Sequence, residues 1–334
     1  MQRIKHPLAR FFIYAGLTLF LVYSIFPFYW TTLQSLKTVR EANSRKPLFF
    51  FTPTFEHYTE LWFDSVPENA GDLAVGLILA VTVLVLAALF ADRLPIANGI
   101  IYGGVVLGFL VILWAIPRFV DTAEFYNYFV NSIIVTIGTV VISLSIGCLA
   151  AYGLARYAGI LGVIILVAAM AFRALPRLAF ILPYFWLGRV TGLLDSYSLV
   201  IITLVTVNQP FTLWMLRSFF MDIPNSIEEA AMIDGCSRLM AFWRVIVPLM
   251  WPGIVSTGLF SMLLAYNEFL LVRVLTQSKW TLPVAISQFT GAEQLGQLNM
   301  AAAAAVSVTI PITIVILFFQ KQLLRGLTAG AVKG

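Results

Sequence analysis

Long, nearly unbroken apolar runs separated by short polar breaks dominate the pattern of this chain. Eight such runs occur, at about 11–33, 73–92, 99–118, 129–154, 159–183, 197–216, 249–271 and 300–320. Each is close to the ~20 residues needed to cross a bilayer core. They are apolar all round rather than along one stripe, which marks membrane spans and not amphipathic surface helices. In lipid the backbone must satisfy its own hydrogen bonds, so such runs predict helices. The expectation is an all-α integral membrane protein with about eight spans. One segment, 34–72, breaks the pattern. It holds Glu41, Glu56, Glu60, Asp64, Glu68 and Asp72 with aromatics between them, and reads as an ordered extracytoplasmic cap.

Composition sharpens this class. Hydrophobic residues make up 60% of the 334 positions and charged residues 11%, against about 25% charged in a soluble domain. The net charge of +5 comes from residues at the ends of apolar runs. No basic stripe with interleaved aromatics occurs, which excludes nucleic acid. Basic residues also set the orientation. Eleven, including Arg3, Lys5, Arg10, Arg93, Arg156, Arg217, Arg238 and Arg244, fall on one side and eight on the other. Both termini are then expected to be cytoplasmic. The first run is too long for a signal-peptide core, so it reads as a retained anchor. Cys148 and Cys236 have neither disulfide nor metal-ligand spacing. His6 and His57 lie outside the spans, and no His-Glu-x-x-His, paired acidic motif or Gly-x4-Gly-Lys-Ser/Thr phosphate loop occurs. No enzyme, metal or cofactor chemistry is expected from this chain.

The most informative polar stretch is the loop 221–248 on the expected cytoplasmic side. Ser226 and Glu229 have capping-box spacing, which predicts a helix start. Glu228 and Glu229 then sit in the first turn, where the helix dipole favours negative charge. Gly235 is placed to end the helix in the left-handed conformation. A second short helix, about 237–247, carries Leu239, Phe242, Trp243 and Ile246 at helical spacing, and Pro248 turns the chain into the next span. Helix physics alone leaves two readings: an interfacial cap on the bundle, or a rigid knob for a partner.

Glu229-Ala230-Ala231, three residues, Gly235, nine residues, then Val245-x-Val247-Pro248 resembles the coupling-loop signature of ABC importer permeases, Glu-Ala-Ala-x3-Gly-x9-Ile-x-Leu-Pro. Val245 and Val247 depart conservatively from it. Ile223-Pro224, Asp234 and Tyr266-Asn267-Glu268-Phe269 match the family's flanking elements. The tail from Arg325 to Gly334 resembles the carbohydrate branch, similar to the smaller permease of maltose transporters. The resemblance runs over about 1–65 and 125–334. It implies the type I importer transmembrane fold in a bacterial or archaeal cytoplasmic membrane, a second homologous permease, two ATPase subunits that bind ATP and magnesium, and an extracytoplasmic solute-binding protein. It also implies that Glu228, Glu229, Ala230, Ala231, Asp234, Gly235 and Pro248 engage the ATPase. The organisation is then 1–72, an N-terminal span with its extracytoplasmic segment; 73–120, an additional two-helix membrane hairpin; and 121–334, the permease core with the coupling loop. The hairpin reads either as a peripheral pair facing lipid or as a docking surface for another membrane protein.

Polar groups at bilayer depth are costly and therefore candidates for the translocation path. Arg173 and Arg177 are four apart on one face of the run 159–183, either lining the path, or snorkelling to outer headgroups or pairing with a neighbouring carboxylate. Pro176 and Pro183 predict a bend there. Asn208 and Gln209, with Pro210, interrupt the next run; amides suit hydroxyl-rich solutes, or tie helices together. Tyr266, Asn267 and Glu268 face a path or gate, or make a structural tie; Tyr266 stands where the family usually has Trp. Asn131 and Ser132 read as a cap of the run 129–154. The expected function is a permease for a sugar, oligosaccharide or polyol. The alternatives are the same importer type for a glycerol-phosphate-like solute, or a secondary transporter.

Overall fold

A computed structural model describes residues 7–65, 70–89, 98–157, 159–290 and 297–329. Arg3, Lys5, His6, Glu68, most of the hairpin turn (Asp92 to Ala97) and the tail end from Gly330 lie outside the described residues. Among the described residues the secondary structure is helical, with one isolated antiparallel bridge between Phe63 and Thr122. The chain divides into two compact units: Met1–Asn127 with Gln288–Ser307, and Tyr128–Ser287 with Val308–Gly334.

The first unit begins with α1 (Pro7–Ser35), whose span from Phe11 to Ser35 has none of its apolar window buried in protein. Large side chains such as Phe12, Leu19 and Tyr23 point outward, as a bilayer solvent allows. The polar segment that follows carries two short helices. Thr38 and Glu41 form a capping box on the short α2 (Val39–Ala42). Lys37 is fully buried between Trp30, 4.7 Å from its ammonium, and Phe51 at 5.4 Å. Burial pushes this ammonium below its usual value, and Glu41 partly offsets that. His57, on α3 (Glu56–Trp62), bonds the Lys37 carbonyl at 3.0 Å, and Asn299 donates to the same carbonyl at 2.7 Å. Further along come α4 (Ala70–Leu89) and α5 (Asn98–Phe119), 20 and 22 residues long. They pack closely: a Cβ on Gly108 would stand 2.8 Å from the Leu84 side chain.

The second unit holds most of α6 (Glu124–Arg156), a 33-residue helix with an acid in its first turn and a base in its last. It starts five residues before the expected run, so Asn131 and Ser132 lie inside it and are not its cap. Their side chains make tertiary ties instead: Asn131 donates to the Trp280 carbonyl at 2.8 Å, and Ser132 accepts from the Leu282 N–H at 2.8 Å. α7 (Gly159–Arg173) and α8 (Arg177–Thr191) meet at a 90° bend. Pro176, which has no N–H to donate, is the N-cap of α8. α8 ends at Gly192 in the left-handed conformation, φ +71°. α9 (Tyr197–Asp222) starts on a Ser196 cap and runs unbroken through Asn208, Gln209 and Pro210. The expected interruption there does not occur; transmembrane helices absorb a proline when neighbours satisfy the freed carbonyl.

The loop holds α10 (Asn225–Ile233), α11 (Arg238–Ala241) and α12 (Val247–Leu249), and after it come α13 (Trp251–Tyr266), α14 (Leu270–Leu275), α15 (Leu282–Thr290) and α16 (Gln297–Ala329). Among the described residues four helices are long and apolar enough to cross a membrane, and six segments are if each bent pair counts as one. The described apolar stretches of the hairpin, Val75–Ala87 and Leu107–Phe119, are shorter. Small residues let the helices approach: a Cβ on Gly147 of α6 would stand 2.8 Å from Thr212 of α9, and one on Gly253 of α13 would stand 2.7 Å from the Phe219 ring.

Candidate functional site

The loop 221–248 folds as α10 (Asn225–Ile233), α11 (Arg238–Ala241), a π turn over Phe242–Ile246, and α12 (Val247–Leu249). Pro224 occupies the N-cap of α10 and makes no side-chain cap bond, so the expected Ser226–Glu229 capping box is not formed. A proline there presets the helical φ and has no N–H to orphan. Gly235 ends the helix as expected, at φ +89°. The Cys236 N–H reaches back to the Ala231 carbonyl (3.0 Å) and the Gly235 N–H to that of Met232 (3.1 Å), the Schellman pattern. Ser237 caps α11 by accepting from the Met240 N–H at 3.3 Å.

The base of the loop is held by groups on and just after α6. Glu228, 6% exposed, accepts hydrogen bonds from Tyr152 and, at 3.3 Å, from Tyr157. Arg156 lies 3.3 Å from its other oxygen and donates to the Ile223 carbonyl at 3.0 Å. Beneath them, Phe242 and Ile246 join Tyr152, Leu216 and Phe220 in an apolar cluster. So the loop is anchored by one buried carboxylate and two buried apolar side chains. Glu229, Ala230, Asp234, Gly235 and Pro248 are exposed, Ala231 is buried against the anchor, and Ile233 is 86% exposed at the end of α10. The seven loop positions expected to act on a partner therefore divide: Glu228 and Ala231 face inward, the rest outward.

Among the path candidates, the bend separates Arg173 from Arg177, so they do not share one helix face. Arg177 forms an ion pair with Glu268, the only carboxylate paired to it among the described residues. Glu268 sits in the break between α13 and α14 and also accepts from the Leu271 N–H at 3.3 Å. This pair thus joins two helix breaks. Arg173 makes no ion pair among the described residues; its guanidinium lies 4.9 Å from the centroid of the Phe211 ring. Gln209 is tied to Ser143, accepting from its hydroxyl at 3.0 Å and donating to its carbonyl at 3.3 Å. Tyr266 donates to the Val308 carbonyl at 2.9 Å and Asn267 to that of Leu263 at 2.8 Å. Asn208 is 1% exposed, and neither its Nδ2 nor its Oδ1 has a partner among the described residues.

Asp195, which no sequence signal singled out, fixes a loop in this unit. It adopts φ +59° and accepts from the N–H groups of Gln277, Ser278 and Lys279 at 2.8, 2.9 and 3.2 Å and from the Ser278 hydroxyl at 2.6 Å. Partial burial alone would raise this carboxyl, but the four hydrogen bonds together hold it below its usual range. Tyr152, Arg156 and Tyr157 were also missed; their signal was a basic residue flanked by tyrosines at the expected end of a span.

Residues 143–329 match the family described as "Binding-protein-dependent transport system inner membrane component". The chain is 37% identical over 213 residues to the trehalose transport system permease protein SugB of Mycobacterium tuberculosis, covering 63% of this chain and 78% of that protein. It is 28% identical to the inner membrane ABC transporter permease protein YcjP of Escherichia coli over the full length of both. It is 35% identical to the sulfoquinovosyl glycerol transport system permease protein SmoH of Agrobacterium fabrum, covering 61% and 72%. A solved chain of a bacterial ABC transporter involved in the import of the acidic polysaccharide alginate superposes with a TM-score of 0.66 at 19% identity, covering 96% and 99%.

Proposed function

The chain belongs to the family of binding-protein-dependent transport system inner membrane components, and on that premise we propose that it forms half of the translocation path of an ATP-driven importer for a sugar, oligosaccharide or polyol. As an ABC transporter permease it is not itself an enzyme; hydrolysis belongs to a separate subunit. Its partners in this reading are a second permease, two ATPase subunits that bind ATP with magnesium, and an extracytoplasmic solute-binding protein. Both termini and the loop 221–248 face the cytoplasm.

The observation that carries the reading is the division of the loop into a clamped base and an exposed tip. A docking element transmits force only when it does not yield at its root. Glu228, Tyr152, Tyr157 and Arg156 supply that root. Glu229, Ala230, Asp234 and Gly235 form the surface offered to the ATPase, and exposed Ile233 gives it apolar area to bury. Movement of the ATPase pair then shifts α9 and α13, the helices the loop connects. Arg173, Asn208, Gln209, Tyr266, Asn267 and Glu268 remain the path candidates. The guanidinium of Arg173, without a carboxylate partner among the described residues, extends the solute class to sugars and polyols with an anionic group.

Two measurements test this. Uptake should stop when ATP is depleted and persist when a proton ionophore collapses the membrane potential; the reverse would indicate a secondary transporter. In a thermal-shift screen, sugars or polyols should raise the melting temperature of the cognate binding protein. A shift with amino acids or inorganic ions alone would refute the carbohydrate reading.

A further inference from the structure

Many hydroxyl groups inside the helices of the second unit follow one habit. Ser132, Ser145, Thr203, Thr206 and Thr257 each donate to the carbonyl four residues earlier, at 2.7 to 3.0 Å. This is the cheapest way to satisfy a hydroxyl in lipid or in a helix bundle. Thr139 of α6 and Ser261 of α13 do not follow it. Both are fully buried, and neither Oγ has a partner among the described residues. Asn208 of α9 is in the same condition with both its polar atoms. A buried polar group left without a hydrogen bond costs on the order of 1–3 kcal/mol, so four such atoms need an explanation.

The packing register brings these three residues to one level. α6 and α9 run parallel: Tyr197 donates to Asn131 at 2.6 Å, and Ser143 meets Gln209 at 3.0 Å and Thr212 at 3.1 Å. Thr139 is one turn before Ser143 and Asn208 one turn before Thr212, so the same register sets Thr139 against Asn208. α13 runs antiparallel to α6. A Cβ on Gly258 would stand 3.1 Å from Leu144 and 3.8 Å from Val140. Ser261, nearly one turn further along α13, faces the preceding turn of α6, which is the level of Thr139. The Phe260 ring packs on Phe211 with centroids 5.9 Å apart, which puts Ser261 beside the Asn208 turn of α9.

We propose that Thr139, Asn208 and Ser261 form a buried water-binding site among α6, α9 and α13. The chemistry selects water over an ion. The amide offers two donors and an acceptor, and each hydroxyl offers both. A metal cation wants six or more oxygens or a carboxylate, and here three side-chain oxygens share the level with an N–H2 group. About one or two waters, each making roughly three hydrogen bonds, satisfy all four atoms. The inference rests on helix packing and shares only Asn208 with the path candidates of the transport reading. Its consequence is mechanical: a water bridge re-forms after a small shift between helices, where a direct side-chain bond would resist it.

The test is cryo-electron microscopy of the assembled transporter in lipid nanodiscs, at a resolution that shows ordered water, in sodium and in choline buffer. The expected result is density within about 3 Å of Asn208 and of Thr139 or Ser261, equal in the two buffers. Direct hydrogen bonds among the three side chains with no density between them would overturn the proposal, as would density that needs sodium. A melting series keeps the test independent of imaging. If one water network joins the sites, Thr139→Val and Ser261→Ala together lower the melting temperature by less than the sum of the two alone. Simple additivity would contradict it.

Discussion

The second unit contains two arginine–glutamate pairs that are built differently. In Arg156–Glu228 both side chains are 7% exposed, two tyrosines complete the carboxylate, and the arginine also holds a backbone carbonyl. In Arg177–Glu268 the glutamate is 6% exposed but the arginine 38%, and one backbone N–H is the carboxylate's other partner. A buried polar network in low dielectric is rigid, because every member loses if one leaves. A pair open on one side can trade its partner for solvent at little cost. On the proposed function, the first arrangement suits the root of a force-transmitting loop, and the second suits a contact between two helix breaks that can part.

This contrast orders the expected effects of mutation. Glu228→Ala leaves Arg156 buried without its carboxylate and should cost about 3–5 kcal/mol; thermal melting and protease sensitivity of the 221–248 segment measure it. A loss no greater than that of Arg177→Met would erase the contrast. Arg177→Met should cost less, about 1–3 kcal/mol, since Glu268 keeps its backbone donor. Its signature is a change in the rate of uptake with the ATPase still bound. Gly235→Val forces a β-branched residue to φ +89° and should cost about 1–2 kcal/mol. Circular dichroism melting reads that loss, with Gly235→Ala falling below it. The smallest effect belongs to Asp195. Its folded pKa lies below the unfolded value, so its contribution is complete above the ordinary carboxylate range and fades as pH falls through the folded value. Asp195→Asn should flatten the melting temperature between neutral pH and about pH 3 relative to the native chain.

What the sequence made legible follows from how local each signal was. Gly235 was readable because only a left-handed residue can close α10 before Ser237 opens α11. The apolar runs became helices because lipid leaves the backbone no alternative. The bend at Pro176 was readable, but not its 90° angle, which is why Arg173 and Arg177 were placed on one face. The capping box at Ser226 failed because Pro224 had already set the helix start two residues earlier. Pro210 suggested a break that tertiary packing of α9 removes. The two adjacent glutamates were indistinguishable in sequence. Only Tyr152 and Arg156, over seventy residues away, turn Glu228 inward and leave Glu229 outside.

That difference between neighbouring glutamates is the centre of the account, and Glu229→Arg tests it directly. The measurement is the amount of ATPase subunit that co-purifies with the tagged chain, taken beside the melting temperature of the same sample. The account predicts an unchanged melting temperature, because Glu229 is exposed and outside the clamp, with association reduced at least about tenfold, or about 1.4 kcal/mol. Association and uptake at native levels in the Glu229→Arg chain would contradict it.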